Sequence, residues 1–260
     1  MLNEGVPPWY IRAVQEVYMN PIIQSIFDRK SVRAFTDEPI TQEEKDLLIE
    51  AAFQAPSGGN QQPYVIIDVT DQAMKEELAE LCDHQPFIAT AKVVFIFIAD
   101  GQRWMDAYHE AGLTPRAPGI STAVSAANNA LIAAQNVVMA AESMGIGSCY
   151  IGDILENCEK VKELLNLPEY AFPAGMLVFG RPTQQQKDRQ KPKRFPKKYM
   201  VYENQYHQLN GEELRDLFSS KCGSQTYEEW VTAMCKRKYE SDFALEMSRS
   251  VKKWLEPFKG

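Results

Sequence analysis

The sequence predicts a layered fold, α/β or α+β, built on a central sheet, and three features carry that expectation. Val93–Ala99 (VVFIFIA) is a continuous β-branched and aromatic run, the pattern of a strand buried on both faces. Ser121–Met144 is a long Ala-rich helical pattern, apolar on most sides, as in a central helix. Two further strand-like runs, YVIIDV (64–69) and AGMLVF (174–179), are interleaved with helical segments.

The remaining elements follow in order. Residues 10–28 read as helical, with Ile11, Val14, Val17 and then Ile22, Ile23, Ile26 in register; Pro21 interrupts them and suits the first turn of a second helix. Thr41-Gln-Glu-Glu44 is a capping box opening a helix that ends near Ala55-Pro56. Asp71–Cys82 is helical with Asp71 near its start. Residues 101–121 hold Gly and Pro and read as an excursion or lid. Gly145 fits the C-cap of the long helix, and Glu156–Leu165 is a further helix. Arg181–Met200 turns polar and basic and reads as a loop. Residues 211–260 return to helical patterning, notably Tyr227–Met234 and Phe243–Phe258.

Composition bounds the function. The chain has 260 residues, 45% hydrophobic and 24% charged, an ordinary globular profile of one domain or at most two. A net charge of −7 argues against general nucleic-acid binding, though not against a local basic pocket. The longest apolar run is far short of the ~20 residues that span a bilayer, so no membrane role is expected. MLNEGVPPWY has no apolar signal core, and a cytoplasmic setting is the expectation. The five cysteines form no CxxC pair and the three histidines no metal-ligand spacing, so no disulfide framework or metal site is expected.

Four constellations stand out. In Arg29-Lys-Ser-Val-Arg33, an extended backbone would point Arg29, Ser31 and Arg33 to one side, which suits a phosphate or another dense anion as well as a solvated basic turn. Ala55–Pro63 (APSGGNQQP) combines glycines with neutral donors and acceptors, built to hold a polar planar ligand or simply to turn from helix to strand. Gly145–Gly152 (GIGSCYIG) follows a helix where a dinucleotide fingerprint must follow a strand, so that reading fails. Cys149 has no neighbouring base in sequence, so a thiolate nucleophile is unsupported. The run KDRQKPKRFPKK (187–198) is either a solvated loop or a second clamp on the same anion.

In their order along the chain, RKSVRAFTDEPI (29–40), APSGGNQQP (55–63), QPFIATAKVVFIFIAD (85–100), NNALIAAQNVVMAAESMGIGSCYIG (128–152) and KRFPKKYMVYENQY (193–206) resemble the flavin-dependent nitroreductase family, in its larger branch of nitro and flavin reductases. The resemblance covers roughly residues 22–209. It implies an α+β fold with α/β-like layers, a central mixed sheet surrounded by helices, and an intertwined homodimer with two FMN sites at the interface. It divides the chain into an FMN-binding domain, 1–210, and a helical extension, 211–260, packed on it.

The resemblance also implies roles. Arg29, Lys30 and Ser31 match a phosphate-binding segment. Arg33 matches the cation near the ribityl chain and pyrimidine edge. Ser57, Gly58 and Asn60 match a loop given by the partner chain. Gln85 matches a glutamine facing the isoalloxazine, and Tyr150, Ile151 and Gly152 a segment whose backbone amide reaches flavin N5. Lys193 and Arg194 match a late basic pair on the phosphate, with Lys191 as an alternative contact. Asp153 stands where family members often have Gly. The implied activity is a ping-pong cycle on FMN, with NAD(P)H as hydride donor and nitroaromatics, quinones or free flavins as acceptors. The flavin carries the chemistry, so no catalytic side chain is assigned; Arg33 and Gly152 tune it.

Overall fold

The computed structural model describes residues 20–260, and the expected helix over 10–19 lies outside them. The described chain forms two compact units. One comprises 28–189 with 246–260; the other comprises 20–27 with 190–245.

The larger unit holds the sheet. Strands β1 (Tyr64–Asp68), β2 (Val93–Asp100), β3 (Gly147–Ile151) and β4 (Ala171–Gly180) lie in the order β1-β2-β4-β3, antiparallel throughout. Among the described residues, parallel pairing is confined to one bridge, Ser31 with Ser148. There Val32 N donates to Ser148 O at 2.9 Å, so residues 29–33 lie along the outer edge of β3. No strand was expected at β3. It is five residues long and bounded by glycines, too short for a periodicity signal.

β2 explains its own apolar run. Phe95 and Phe97 face one core with Phe179 and Leu177; Val94, Ile96 and Ile98 face the other with Met176 and Val178. Both faces are dry, so alternation disappears from the sequence. The first face is covered by α2 (Gln42–Phe53) and α6 (Ile120–Ser143). Ala130, Ala133, Ala134 and Ala141 bring the α6 backbone close to the phenylalanines. The second face is covered by α3 (Gln72–Leu81), α4 (Phe87–Thr90), α7 (Cys158–Leu164) and the chain's last residues. Trp254 and Phe258 sit in that core. Phe258 meets Tyr170 and Phe172 edge-on at 5.6 and 5.8 Å. Burying each such ring is worth ~1.5–3 kcal/mol.

α6 is not buried all round. Val124, Leu131 and Ile132 stay exposed on its outer side, and Leu47 and Phe53 on the neighbouring α2. The Thr41 capping box forms as the sequence implies, with Thr41 Oγ1 accepting from Glu44 N at 3.2 Å and Glu44 Oε2 from Thr41 N at 3.0 Å. The 101–121 excursion contains a helix, α5 (Gln102–Glu110), seated by Trp104 Nε1 donating to Gln61 O at 3.1 Å. Short α8 (Gln184–Asp188) interrupts the basic loop.

The smaller unit contains α1 (Pro21–Asp28, shared at its last residue), α9 (Gly211–Cys222) and α10 (Tyr227–Lys238). α1 starts at Pro21, whose missing N–H costs nothing there. Asn210 and Thr226 open α9 and α10 with capping boxes. Phe218 packs on Phe195 and Trp230 at 5.5 and 5.3 Å. α11 (Asp242–Leu255) runs into the sheet-bearing unit, where Trp254 Nε1 donates to Leu155 O at 3.0 Å.

Two glycines admit the edge segment. A Cβ on Gly147 would lie 2.7 Å from Val32 Cγ2, and one on Gly180 2.6 Å from the Phe35 ring. Gly180→Ala is therefore expected to cost ~1–3 kcal/mol by overpacking. Gly211→Ala, which meets nothing within 4 Å, is the control and should stay within about 0.5 kcal/mol. Urea midpoints of the two variants decide it, and equal midpoints would refute the close approach.

Candidate functional site

The site is built on the edge pairing of 29–33 with β3. Because that segment is extended, its side chains alternate. Arg29 Cζ lies 5.9 Å from the Tyr150 ring centre and Arg33 Cζ 6.0 Å from that of Phe87. Ser31 and Arg33 both face the Cys149 thiol: burial pushes that thiol's pKa up, and Arg33, Ser31 and Arg29 oppose the rise. Lys30 points the other way. Its Nζ donates to Lys187 O at 2.6 Å and to Arg189 O, while Arg189 Nη2 donates to Ser31 O. Lys30 and Arg189 thus lash the start of the basic loop to the edge segment. Nothing in KDRQKPKRFPKK distinguished Arg189 from its neighbours.

Arg29 carries the strongest chemical statement. Its Nε and Nη2 are buried with no hydrogen-bond partner among the described residues. Leaving such donors unmade is costly. A guanidinium with two adjacent unmet donors suits a bidentate oxyanion.

The opposite wall comes from the ends of β3 and α3. Ile151 is buried, Gly152 is exposed, and Asp153 begins a 3₁₀ turn. Gln85 Nε2 donates to Asp153 Oδ2 at 2.6 Å and to Cys82 O at 2.7 Å. Burial pushes the Tyr150 phenol up to about 12, and its hydroxyl donates to Gln135 Oε1 at 3.3 Å. Burial, with Asp83, Asp153 and Glu246 nearby, also raises the Glu156 carboxyl. Arg29, Ser31, Arg33, Gln85, Tyr150, Ile151 and Gly152 therefore gather around one corner of the sheet.

Ser57, Gly58 and Asn60 do not join them. Their loop precedes β1 and is held by Asn129 Oδ1 accepting from Gly58 N at 3.2 Å and Ser57 Oγ accepting from Gln62 N at 3.0 Å. Gly59 and Asn60 take left-handed φ of 59° and 55°. A cavity of about 350 Å³ opens beside the loop, lined by Gln61, Trp104, Tyr108 and Arg116 among others. Tyr64 is in register with Ala99 and Ala99 with Phe172, whereas Ser148 pairs with Phe179. Three strand spacings across and seven residues along put the two corners about 25 Å apart.

Lys193 and Arg194 belong to the smaller unit and are exposed. Lys221 Nζ donates to Lys193 O at 2.7 Å. Lys191 Nζ is taken up by Ile26 O and Phe27 O, at 3.1 and 2.7 Å, at the C-terminus of α1.

The corner concentrates cationic donors, and no cluster that could hold a metal ion occurs among the described residues. Residues 26–181 match the nitroreductase family, and the chain belongs to that family. It is 33% identical over 241 residues to the FMN reductase (NAD(P)H) of Bacillus subtilis, covering 92% of each chain. It is 34% identical over 195 residues to the oxygen-insensitive NADPH nitroreductase of Salmonella typhimurium, covering 74% of this chain and 77% of that one. Among solved structures, the NADPH:FMN oxidoreductase of Vibrio harveyi complexed with NAD+ superposes with a TM-score of 0.78 at 30% identity, over 91% of this chain and 98% of that one.

Thiol chemistry checks the packing at this corner. Cys235 is exposed, whereas Cys82, Cys149 and Cys158 are buried with thiols pushed up by burial. In the native protein Cys235 should react rapidly with a disulfide reagent at neutral pH, and those three only on unfolding. Fast labelling of Cys149, mapped by peptide mass, would show that the corner is open.

Proposed function

We propose that this chain is an FMN-dependent oxidoreductase that uses NAD(P)H to reduce small acceptors: nitroaromatics, quinones or free flavins. The observation that carries the reading is Arg29, with two buried donors lacking a partner at the corner where the family's motifs converge. The relatives, an FMN reductase and an NADPH nitroreductase, agree with it. FMN, when bound, would take hydride from NAD(P)H and pass the electrons to the acceptor, the two substrates binding in turn as a ping-pong cycle requires.

The chain's own residues bind and orient. Arg29 and Ser31 receive the phosphate, and Lys30 fastens their segment to the loop beside it. Lys193 and Arg194 are a second basic clamp. Arg33 balances negative charge at the pyrimidine edge. Tyr150, Ile151 and Gly152 present backbone to the ring, flanked by Gln85. Burial raises the Cys149 thiol and the half-buried Tyr150 phenol, so neither ionises readily to serve as a nucleophile or base; on this reading water supplies the protons.

The reading includes a homodimer with shared sites. Ser57, Gly58 and Asn60 sit in a loop before β1 with no described contact to Arg29, Ser31 or Arg33, and on this reading the partner copy brings its own loop to the flavin. The exposed apolar side chains of α2 and α6 support the same arrangement. The reading keeps 211–260 as a helical extension of the flavin domain, 1–210; its last residues, 246–260, belong to the sheet-bearing unit, with Trp254 and Phe258 in that core. Five free thiols suit a reducing cytoplasm. No described helix is long and apolar enough to cross a membrane, and the net charge of −7 disfavours nucleic acid.

Purified protein should release FMN on heating, identified by chromatography against FAD, and its flavin absorbance should bleach anaerobically with NADH or NADPH. FAD, or a flavin that neither nucleotide reduces, would end the reading. Arg29→Ala should weaken FMN retention roughly tenfold to a hundredfold, the worth of a charge-assisted contact. Cys149→Ser should leave turnover nearly unchanged.

Shared sites are tested by complementation. One variant carries Arg29→Ala with Arg33→Ala, the other Ser57→Ala with Asn60→Ala. Each alone should be inactive; unfolded, mixed and refolded together, half the sites of every heterodimer escape mutation and activity returns. Mixed dimers as dead as their parents would defeat the shared-site arrangement.

A further inference from the structure

Gln85 is held unusually firmly for a side chain at a ligand site. Asp83 and His84, the two residues before it, both take left-handed φ, 58° and 51°, which non-glycine residues adopt at a cost. Gln85 N donates to Ala79 O at 2.9 Å, and Asn157 Nδ2 reaches across to Leu81 O at 2.9 Å. The turn that carries Gln85 is thus tied to the turn that carries Asp153.

The side-chain amide is fixed as well. Cys82 O and the Asp153 carboxylate can only accept, so the group facing both must be the NH2 of Gln85. Chemistry settles the orientation of the amide here, which geometry alone leaves open. With both amide protons spent, Gln85 has only Oε1 to offer, and no described residue donates to it. A backbone carbonyl is present in any sequence; Asp153 is the chosen partner. Without it one proton is released and the amide can rotate to show NH2.

We propose that Asp153 is a specificity-determining positioning residue: it fixes Gln85 as a hydrogen-bond acceptor, so that the site selects a ring ligand presenting an amide-type N–H. Two ligands of this site offer such a group, the flavin's pyrimidine imide and the nicotinamide carboxamide. The inference rests on the reading above, in which Gln85 and Gly152 border the flavin.

The test compares wild type, Asp153→Ala, Asp153→Asn, Gln85→Ala and the Ala double variant. Each is measured for FMN dissociation constant, for KM and kcat with NADH, and with the reduced 3-acetylpyridine analogue, which lacks the carboxamide N–H. In Asp153→Ala, kcat should hold and one affinity fall by about tenfold, the worth of one hydrogen bond. If nicotinamide is the partner, KM for NADH rises and the preference over the analogue vanishes. If flavin is the partner, the FMN dissociation constant rises and that preference stays. Asp153→Asn keeps an acceptor oxygen and should restore wild-type values. The double variant should be no worse than Gln85→Ala, because the two residues act as one. Unchanged affinities in Asp153→Ala, an Asn variant as impaired as Ala, or additive losses overturn the proposal; should Asp153→Ala fail to fold, the Asn and Gln85→Ala variants still decide it. A wild type that neither retains FMN nor bleaches with NAD(P)H removes the functional reading and this inference with it, whereas a wild type that does both while Asp153→Ala matches it removes the inference alone.

Discussion

The pairing of residues 29–33 with the outer edge of β3 is the constraint on which the rest depends. An edge strand leaves backbone groups unpaired, and here Val32 N answers Ser148 O. That bond makes the segment extended, and extension sorts its side chains. Val32 goes inward, against the bare backbone of Gly147. Arg29, Ser31 and Arg33 collect on the side of Cys149 and Tyr150. Had this stretch been helical, the two arginines would stand four residues apart along a helix face, with Lys30 beside neither carbonyl it now holds. Gly180 lets the continuation pass, since Phe35 occupies the space of its missing Cβ.

The same sheet separates what function must unite. β2 has both faces buried, so the sheet is a wall with corners, and the two polar glycine-containing segments lie at opposite ones. α6 lies between them on one face. Its alanines, with Val137 and Val138, meet the sheet, while Val124, Leu131 and Ile132 stay exposed. A helix this apolar on its outer side is stable in water only at a cost in exposed area. A second copy covering that side removes the cost and can carry a distant loop to the cationic corner.

Elements with one strong local signal were legible in the sequence. Thr41 with Glu44, Pro21, Asp71 and the β2 run each encode their structure within a few residues, and each forms where the pattern places it. β3 and α5 were not legible. β3 owes its strand geometry to β4 and residues 29–33, both remote in sequence, and its glycines disguise it. α5 takes Asp100 Oδ1 on its first amides, a local contact, but is anchored by Trp104 Nε1 on Gln61 O, which no window around 102–110 contains. At the site, the residues with motif-like spacing were named. Arg189 was missed because its partner, Ser31 O, is backbone and leaves no mark on composition. The division between 189 and 190 falls inside a basic run of uniform character, where no composition shift marks it.

Charge at the corner runs against charge on the whole chain. The protein carries −7 overall, yet Arg29 and Arg33 stand at the β3 end, against Tyr150 and Phe87. Asp153 spends its carboxylate on the Gln85 amide, so its negative charge is partly absorbed by a donor. Glu156, one turn further, is pushed toward its neutral form by burial and by Asp153 itself. The Asp153 carboxylate is engaged by Gln85, while Arg29 keeps two donors unmet. A guanidinium with two buried, unmet donors attracts an anion more strongly than the same group would in water. An acidic protein can in this way build a phosphate site: its net charge governs solubility, and a few paired and unpaired groups at one sheet corner govern what it binds.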